Sequence, residues 1–209
     1  MNAPARKYHH GDLRNALIIA AAELMENTGS SEFSITDAAK LAGVSNAAPY
    51  RHFKDREELL LAVRDLAFIG LDERMHAVEA EFAERNNTLE FIVAIGQAYL
   101  QYARDKSAFF ALMWEDRGDV ELRREQAESR MSGFYVLVEA IKRYGHNMGH
   151  RDNEQAVAIA THLWATAHGI ATLEANKLFD LFYRQASPDA ALQQITRALL
   201  TSGTFSEAI

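Results

Sequence analysis

The 209-residue sequence contains no cysteine. That absence excludes a disulfide framework, a thiolate metal site and a cysteine nucleophile, and it fits a reducing compartment. No run approaches the roughly 20 apolar residues that a membrane span needs. Near the N-terminus the apolar stretch Ala16 to Ala22 is interrupted at Glu23, and no secretory cleavage pattern follows it. Alternating strand segments, internal repeats and low-complexity tracts are also missing. So are a phosphate loop, a dinucleotide glycine pattern, a Gly-x-Ser-x-Gly elbow and a His-Glu-x-x-His pair. The chain is therefore expected to be cytoplasmic, to have no enzymatic activity and to carry no cofactor.

What is present is an ordinary globular composition, 48% hydrophobic and 24% charged, long enough for one or two compact domains. The formal charge of −7 is unevenly spread, with 7 basic and 8 acidic side chains in residues 1–60 against 15 and 21 in residues 61–209. Within Ser45–Arg56 the balance reverses, since Arg51, Lys54 and Arg56 face Asp55 alone. A local basic edge on an acidic chain suits a sequence-specific nucleic-acid reader, because phosphate contacts position a protein locally.

Apolar spacing predicts helices throughout, and the fold class is all-α. Leu13, Leu17, Ala20, Ala21 and Leu24 mark a first helix from Leu13 to about Asn27, with Asp12 as its N-cap and Thr28-Gly29 as its end. Ser34 or Thr36 can cap a second helix whose inner face is Ile35, Ala38, Ala39 and Ala42, stopped by Gly43. Ser45 starts a third, expected from Asn46 to about Phe53. Asp55 caps a fourth, whose stripe Leu60, Val63, Ala67, Leu71, Met75, Val78 and Phe82 runs to about Arg85. Further helices follow around residues 89–103, in the aromatic stretch from Ala108 to Trp114, from about Ala127 to Ile141, from Val157 to Ala171 and after Ser187-Pro188. The segment Arg143–Asn153 reads as a loop by its glycines.

The second and third helices have the spacing of a helix-turn-helix. Small alanines allow a close crossing, Gly43 permits a left-handed turn and Val44 fills the angle. On the third helix Asn46, Ala47, Tyr50 and Arg51 can share one exposed side, with His52 and Lys54 near its far end. Asn and Arg can pair with base edges, Ala permits close approach, and Tyr, His and Lys suit phosphates. Thr36 and Ser45, at the two helix starts, complete the expected DNA contacts. The arm Arg6-Lys7-Tyr8-His9-His10 is either a groove follower or a solvated end.

The stretches "AAAELMENTG", "SITDAAKLAGVS" and "YRHFKDREELL" together resemble the DNA-binding domain of the TetR family of transcriptional regulators. Pro49 departs from that pattern, where an aliphatic residue is more usual. The basic arm at 1–11 is expected to be flexible. The resemblance implies Phe53 and Leu59 as core anchors. It further implies a DNA-binding domain at 12–63, with its motif at about 34–53, and a ligand-binding and dimerisation domain at 64–209. The stretch "LWATAHGIATLEANKLF" is similar to a TetR subgroup marked by Trp, His and Gly, here Trp164, His168 and Gly169. That similarity implies a homodimer on a palindromic operator, paired through the last two helices, where Trp164, His168, Gly169, Leu192, Ile195 and Leu199 are the expected interface residues.

Tyr99, Tyr102, Phe109 and Phe110 form an aromatic group with Met113, Trp114, Phe134 and Tyr135. Each singly reads as core, but by the resemblance some of them line an apolar effector cavity. His146-x-x-x-His150 has ligand spacing but falls in the expected loop, so no metal site is expected, and His168 reads as a packing residue. The expected function is a ligand-responsive homodimeric repressor; the alternative is a helical carrier of apolar molecules that binds no operator.

Overall fold

The computed structural model describes residues 13–85, 88–115, 132–147, 153–182, 184 and 187–201. Among them there are helices and no strand. Asp12 and the arm before it lie outside these residues, as do His150 and the segment 116–131. Contacts divide the chain into two compact units: Met1–Ala67 with Ala108–Asp116, and Phe68–Ser107 with Arg117–Ile209.

In unit one, α1 (Leu13–Thr28) buries Leu17, Ile18, Ala21 and Met25. Helix α2 (Ile35–Leu41) begins with a capping box, in which the Asp37 N–H donates to Ser34 Oγ (3.1 Å) and the Ser34 N–H donates to Asp37 Oδ2 (3.0 Å). Each partner satisfies a backbone donor that the helix leaves open. The Ser34 hydroxyl and N–H hold the Asp37 carboxyl below its usual range. Helix α2 ends in a Schellman turn: Gly43 has φ +72°, its N–H donates to Lys40 O and the Val44 N–H donates to Ala39 O.

The expected third α-helix is a single 3-10 turn, Pro49–Arg51, after a tight turn at residues 46–48. Proline supplies the reason. Pro49 has no N–H to donate back to Ser45, whose carbonyl instead takes the Ala48 N–H at 3.0 Å. Downstream, Pro49 O accepts from both His52 and Phe53. Asp55 then caps α3 (Arg56–Phe82), its Oδ1 accepting the Glu58 N–H at 3.0 Å.

Helix α3 continues into unit two, which also contains α4 (Thr88–Asp105), α6 (Ser132–Asn147), α7 (Asn153–Ala175), α8 (Phe179–Phe182) and α9 (Pro188–Thr201). Between α4 and α6 the chain forms α5 (Ser107–Trp114), which apart from Ser107 groups with unit one. Helix α4 packs on α6, α7 and α9, and α7 packs on α6 and α9 as well. By length and composition α7 could cross a bilayer, yet its stripe Ala156, Ile159, Ala160, Leu163, Ala167 and Ile170 is buried among the other helices of its unit. Asp72 on α3 takes the place of an N-cap for α6, accepting from the Gly133 N–H at 2.7 Å and from the Ser132 hydroxyl. A Cβ at Gly133 would stand 2.8 Å from Asp72 Oδ1 and 2.9 Å from Met75 Cγ, so a larger residue here would force Asp72 and Met75 to shift.

In the expected loop, residues 143–147 are helical, and 148–152 lie outside the described residues. Helix α6 runs on to Asn147, because Ile141, Tyr144 and Gly145 continue its buried stripe. His146 is therefore helical.

Helix α7 ends in the same Schellman turn as α2, with Lys177 (φ +56°) in the glycine position: the Lys177 N–H donates to Glu174 O and the Leu178 N–H to Leu173 O. A side chain in that conformation is strained. Lys177→Gly should raise the unfolding free energy by about 0.5–1 kcal/mol. A urea midpoint that stays put or falls would count against strain at this turn.

Candidate nucleic-acid interface and aromatic cluster

The 3-10 turn is anchored by apolar contacts below and open above. Pro49 is buried, Phe53 is 1% exposed with the Arg14 guanidinium 5.2 Å from its ring centroid, and Leu59 is fully buried. Ser45, Asn46, Ala47, Arg51, His52 and Lys54 are exposed, and Tyr50 is 57% exposed. Thr36 is half-buried, its Oγ1 2.8 Å from Ser34 Oγ. Seven of the eight expected DNA contacts thus stand at the surface of unit one within a ten-residue segment. Such a face, with two cations, an amide and a phenol, can meet phosphates and base edges.

Arg56 does not extend the basic edge. Its Nε donates to Phe33 O at 2.6 Å, its Nη2 donates to Ser31 O, and its guanidinium lies over the Phe33 ring at 5.5 Å. It ties the α1–α2 loop to the start of α3, a role that no local pattern in the sequence signals.

The aromatic group divides. Phe109, Phe110, Met113 and Trp114 lie on α5, in unit one, with Phe110 and Trp114 edge-to-face at 6.3 Å. In unit two, Tyr102 is buried between α3 and α4, near Gly70 and under the Arg74 guanidinium at 5.8 Å. Burial pushes its phenol up to about 12, against the opposing pull of Arg74. Tyr99 turns the other way, and its hydroxyl lies 3.0 Å from His168 Nδ1. Trp164 lies 6.2 Å from both His168 and Phe134, and Phe134 meets the exposed Tyr135 at 6.0 Å. Tyr99 and Phe134 are therefore brought together with Trp164 and His168, two residues expected at a subunit interface. Burial lowers the His168 pKa below its ordinary value, which favours the neutral ring.

The remaining expected interface residues spread over α7 and α9. Next to Gly169, nothing lies within 4 Å of where a Cβ would stand. Ile195 is 42% exposed and Leu199 half-buried, while Leu192 is buried inside the unit with its Cδ2 2.9 Å from the Cβ position of Gly96. Val157 and Leu173 add exposed apolar surface to α7.

Sequence reasoning missed the ionic fastening of unit two. Arg104 on α4 holds Glu174 on α7 and Asp189 on α9, and beside it Asp105 holds Arg74 on α3. Opposite charges four apart on one helix can be read from sequence; partners 70 or 85 residues apart cannot.

A family model described as bacterial regulatory proteins, tetR family, matches residues 17–63. A second, described as a tetracyclin repressor-like C-terminal domain, matches residues 92–199. Among curated proteins no match was found. Among solved structures, a protein with unknown function from Rhodococcus sp. RHA1 aligns with TM-score 0.74 and 26% identity over 95% of this chain and 98% of that one. A TetR/AcrR family regulator from Thermobifida fusca YX-ER1 aligns with TM-score 0.62 and 23% identity, over 91% and 98% of the two chains. The transcriptional regulator FadR from Bacillus subtilis, solved in complex with stearoyl-CoA, aligns with TM-score 0.62 and 17% identity, over 90% and 98%.

Proposed function

Because this chain belongs to the TetR family of bacterial regulatory proteins, we propose that it is a ligand-responsive homodimeric repressor that binds a palindromic DNA operator in the cytoplasm. The observation that carries this reading is the exposed face Ser45–Lys54, set on a buried Pro49, Phe53 and Leu59. Two copies of that face about 34–36 Å apart read successive major grooves. The open side of α7 and α9, with Gly169, Val157, Leu173 and Ile195, supports a subunit interface there. Trp164, His168 and Gly169 support a reading of the chain as one of the Trp-His-Gly subgroup. DNA-binding residues are those of 12–63, and effector binding and dimerisation belong to 64–209.

Helix α3 is continuous between the two units. An effector that shifts its second half also shifts the recognition segment and spoils the half-site spacing. The effector must then prefer the mismatched state; a 100-fold preference supplies roughly 2.7 kcal/mol of coupling. Tight effector binding with unchanged operator affinity would exclude this coupling.

Selection of bound genomic fragments by the purified protein tests the function. One enriched palindrome is expected, and no enrichment over random fragments would favour the carrier. On the selected operator, Lys54→Ala should weaken binding and reduce the salt slope by about 1, as loss of one phosphate contact does. Tyr50→Ala should weaken it too, with the dimer intact by sedimentation. Wild-type affinity in either variant would remove that residue from the interface.

A further inference from the structure

We propose that Glu58 is a positioning residue for DNA binding: its carboxylate fixes the backbone of Lys54, and so sets where the Lys54 ammonium meets a phosphate. The inference rests on the reading of Ser45–Lys54 as the DNA-contacting face. Its basis is one hydrogen bond that reaches further than a helix cap needs. The Lys54 N–H donates to Glu58 Oε2 at 2.6 Å, while the Glu58 N–H donates to Asp55 Oδ1 at 3.0 Å. In a capping box the third helical residue turns back to the N–H of the N-cap itself. Glu58 is the third residue of α3, yet it passes Asp55 and takes the N–H of the residue before.

That extra step decides what the carboxylate does. The Lys54 N–H precedes α3, so bonding it satisfies none of the donors that the helix leaves open. Lys54 is also exposed, and water could serve its N–H, so burial does not call for the bond. What the bond adds is a tie between α3 and the chain ahead of it. The neighbours on both sides are fixed by other means: Phe53 is 1% exposed with its N–H on Pro49 O, and Asp55 caps the helix. Glu58 supplies the missing anchor for the residue between them.

Charge points the same way. Glu58 follows Lys54 by four, a spacing at which a carboxylate and an ammonium pair on a helix face. Lys54 stands before the helix, and Glu58 engages its N–H instead. Among the described residues no carboxylate pairs with the Lys54 ammonium, whereas Lys40 and Lys142 each meet one. The ammonium therefore stays open to a phosphate while its backbone is held. The carboxylate itself repels phosphates, so a neutral isostere separates its position from its charge.

Operator affinity of the full-length protein, measured as a double-mutant cycle on the selected operator, decides the role. Glu58→Ala should weaken binding roughly tenfold, a loss comparable to ordering one backbone residue on the DNA. In a Lys54→Ala background the same change should cost less than about twofold, because the placement of residue 54 no longer matters. Glu58→Gln keeps an oxygen for the Lys54 N–H and removes the repelling charge, and should recover wild-type affinity or exceed it. Equal losses in the two backgrounds would mean that Glu58 only stabilises unit one, and overturn the proposal. Wild-type affinity in Glu58→Ala, or a Gln variant as weak as the Ala one, overturns it as well, with the regulator reading intact. If the wild-type protein binds no duplex, the regulator reading falls and this role falls with it.

Discussion

Replacing Arg56 with alanine is expected to destabilise unit one by about 3 kcal/mol, since each hydrogen bond from a charged donor contributes about 1.5–3 kcal/mol before screening. The guanidinium donates to two carbonyls of one loop, Phe33 O and Ser31 O, and covers the Phe33 ring. Its side chain is 31% exposed, so the upper end of that range does not apply; its pair with the 55% exposed Glu57 adds little. The loop it holds leads directly into Ser34, the cap of α2. Loss of Arg56 thus loosens the loop, the cap and the first helix of the motif together, and specific DNA binding should fall with stability. Arg56→Lys should recover less than half, because an ammonium cannot serve both carbonyls and cover the ring in one geometry. Urea unfolding followed by circular dichroism reads the effect, and an unchanged midpoint for Arg56→Ala would show that the loop does not depend on it.

Arg56 also marks where sequence reading reaches its limit. Counting charges places it in the basic edge with Arg51 and Lys54, since composition does not say which way a side chain turns. Local signals fared better. The Ser34 cap, the Gly43 turn and the Asp55 cap involve partners within five residues; the turn and the Asp55 cap are legible in the sequence, and Ser34 is one of two candidates there with Thr36. Pro49 departs from the family pattern in sequence, yet its effect on the recognition segment depends on where the Ser45 carbonyl finds another donor. Glycine misled at residue 145, where a buried helical position can take a small residue as readily as a loop can. Tyr99 and His168 are 69 positions apart. Only the packing of α4 on α7 joins them.

The same limit hid the fastening at Arg104, whose removal is the second large effect expected. Its Nε donates to both Glu174 oxygens (2.9 and 3.1 Å), while Nη1 and Nη2 donate to the two Asp189 oxygens (3.2 and 2.6 Å). One planar fork thereby joins α4 to the last turn of α7 and the first turn of α9. Glu174 depends on it more than Asp189 does. A carboxylate in the last turn of a helix faces the negative end of the dipole, whereas one in the first turn faces the positive end. Arg104→Met leaves two carboxylates without their shared cation. With side chains 28–37% exposed, the expected loss is about 2–3 kcal/mol, below the cost of breaking a fully buried pair. Added salt should narrow the gap between wild type and variant, since screening weakens what only the wild type has. Neutralising both acids in the same background, as Arg104→Met with Glu174→Gln and Asp189→Asn, should restore most of the loss. Failure of that restoration would mean that the arginine stem, not its charge, supports the packing. Because α7 and α9 carry the proposed subunit interface, the single variant should also dissociate at lower dilution than wild type, and the triple variant should not.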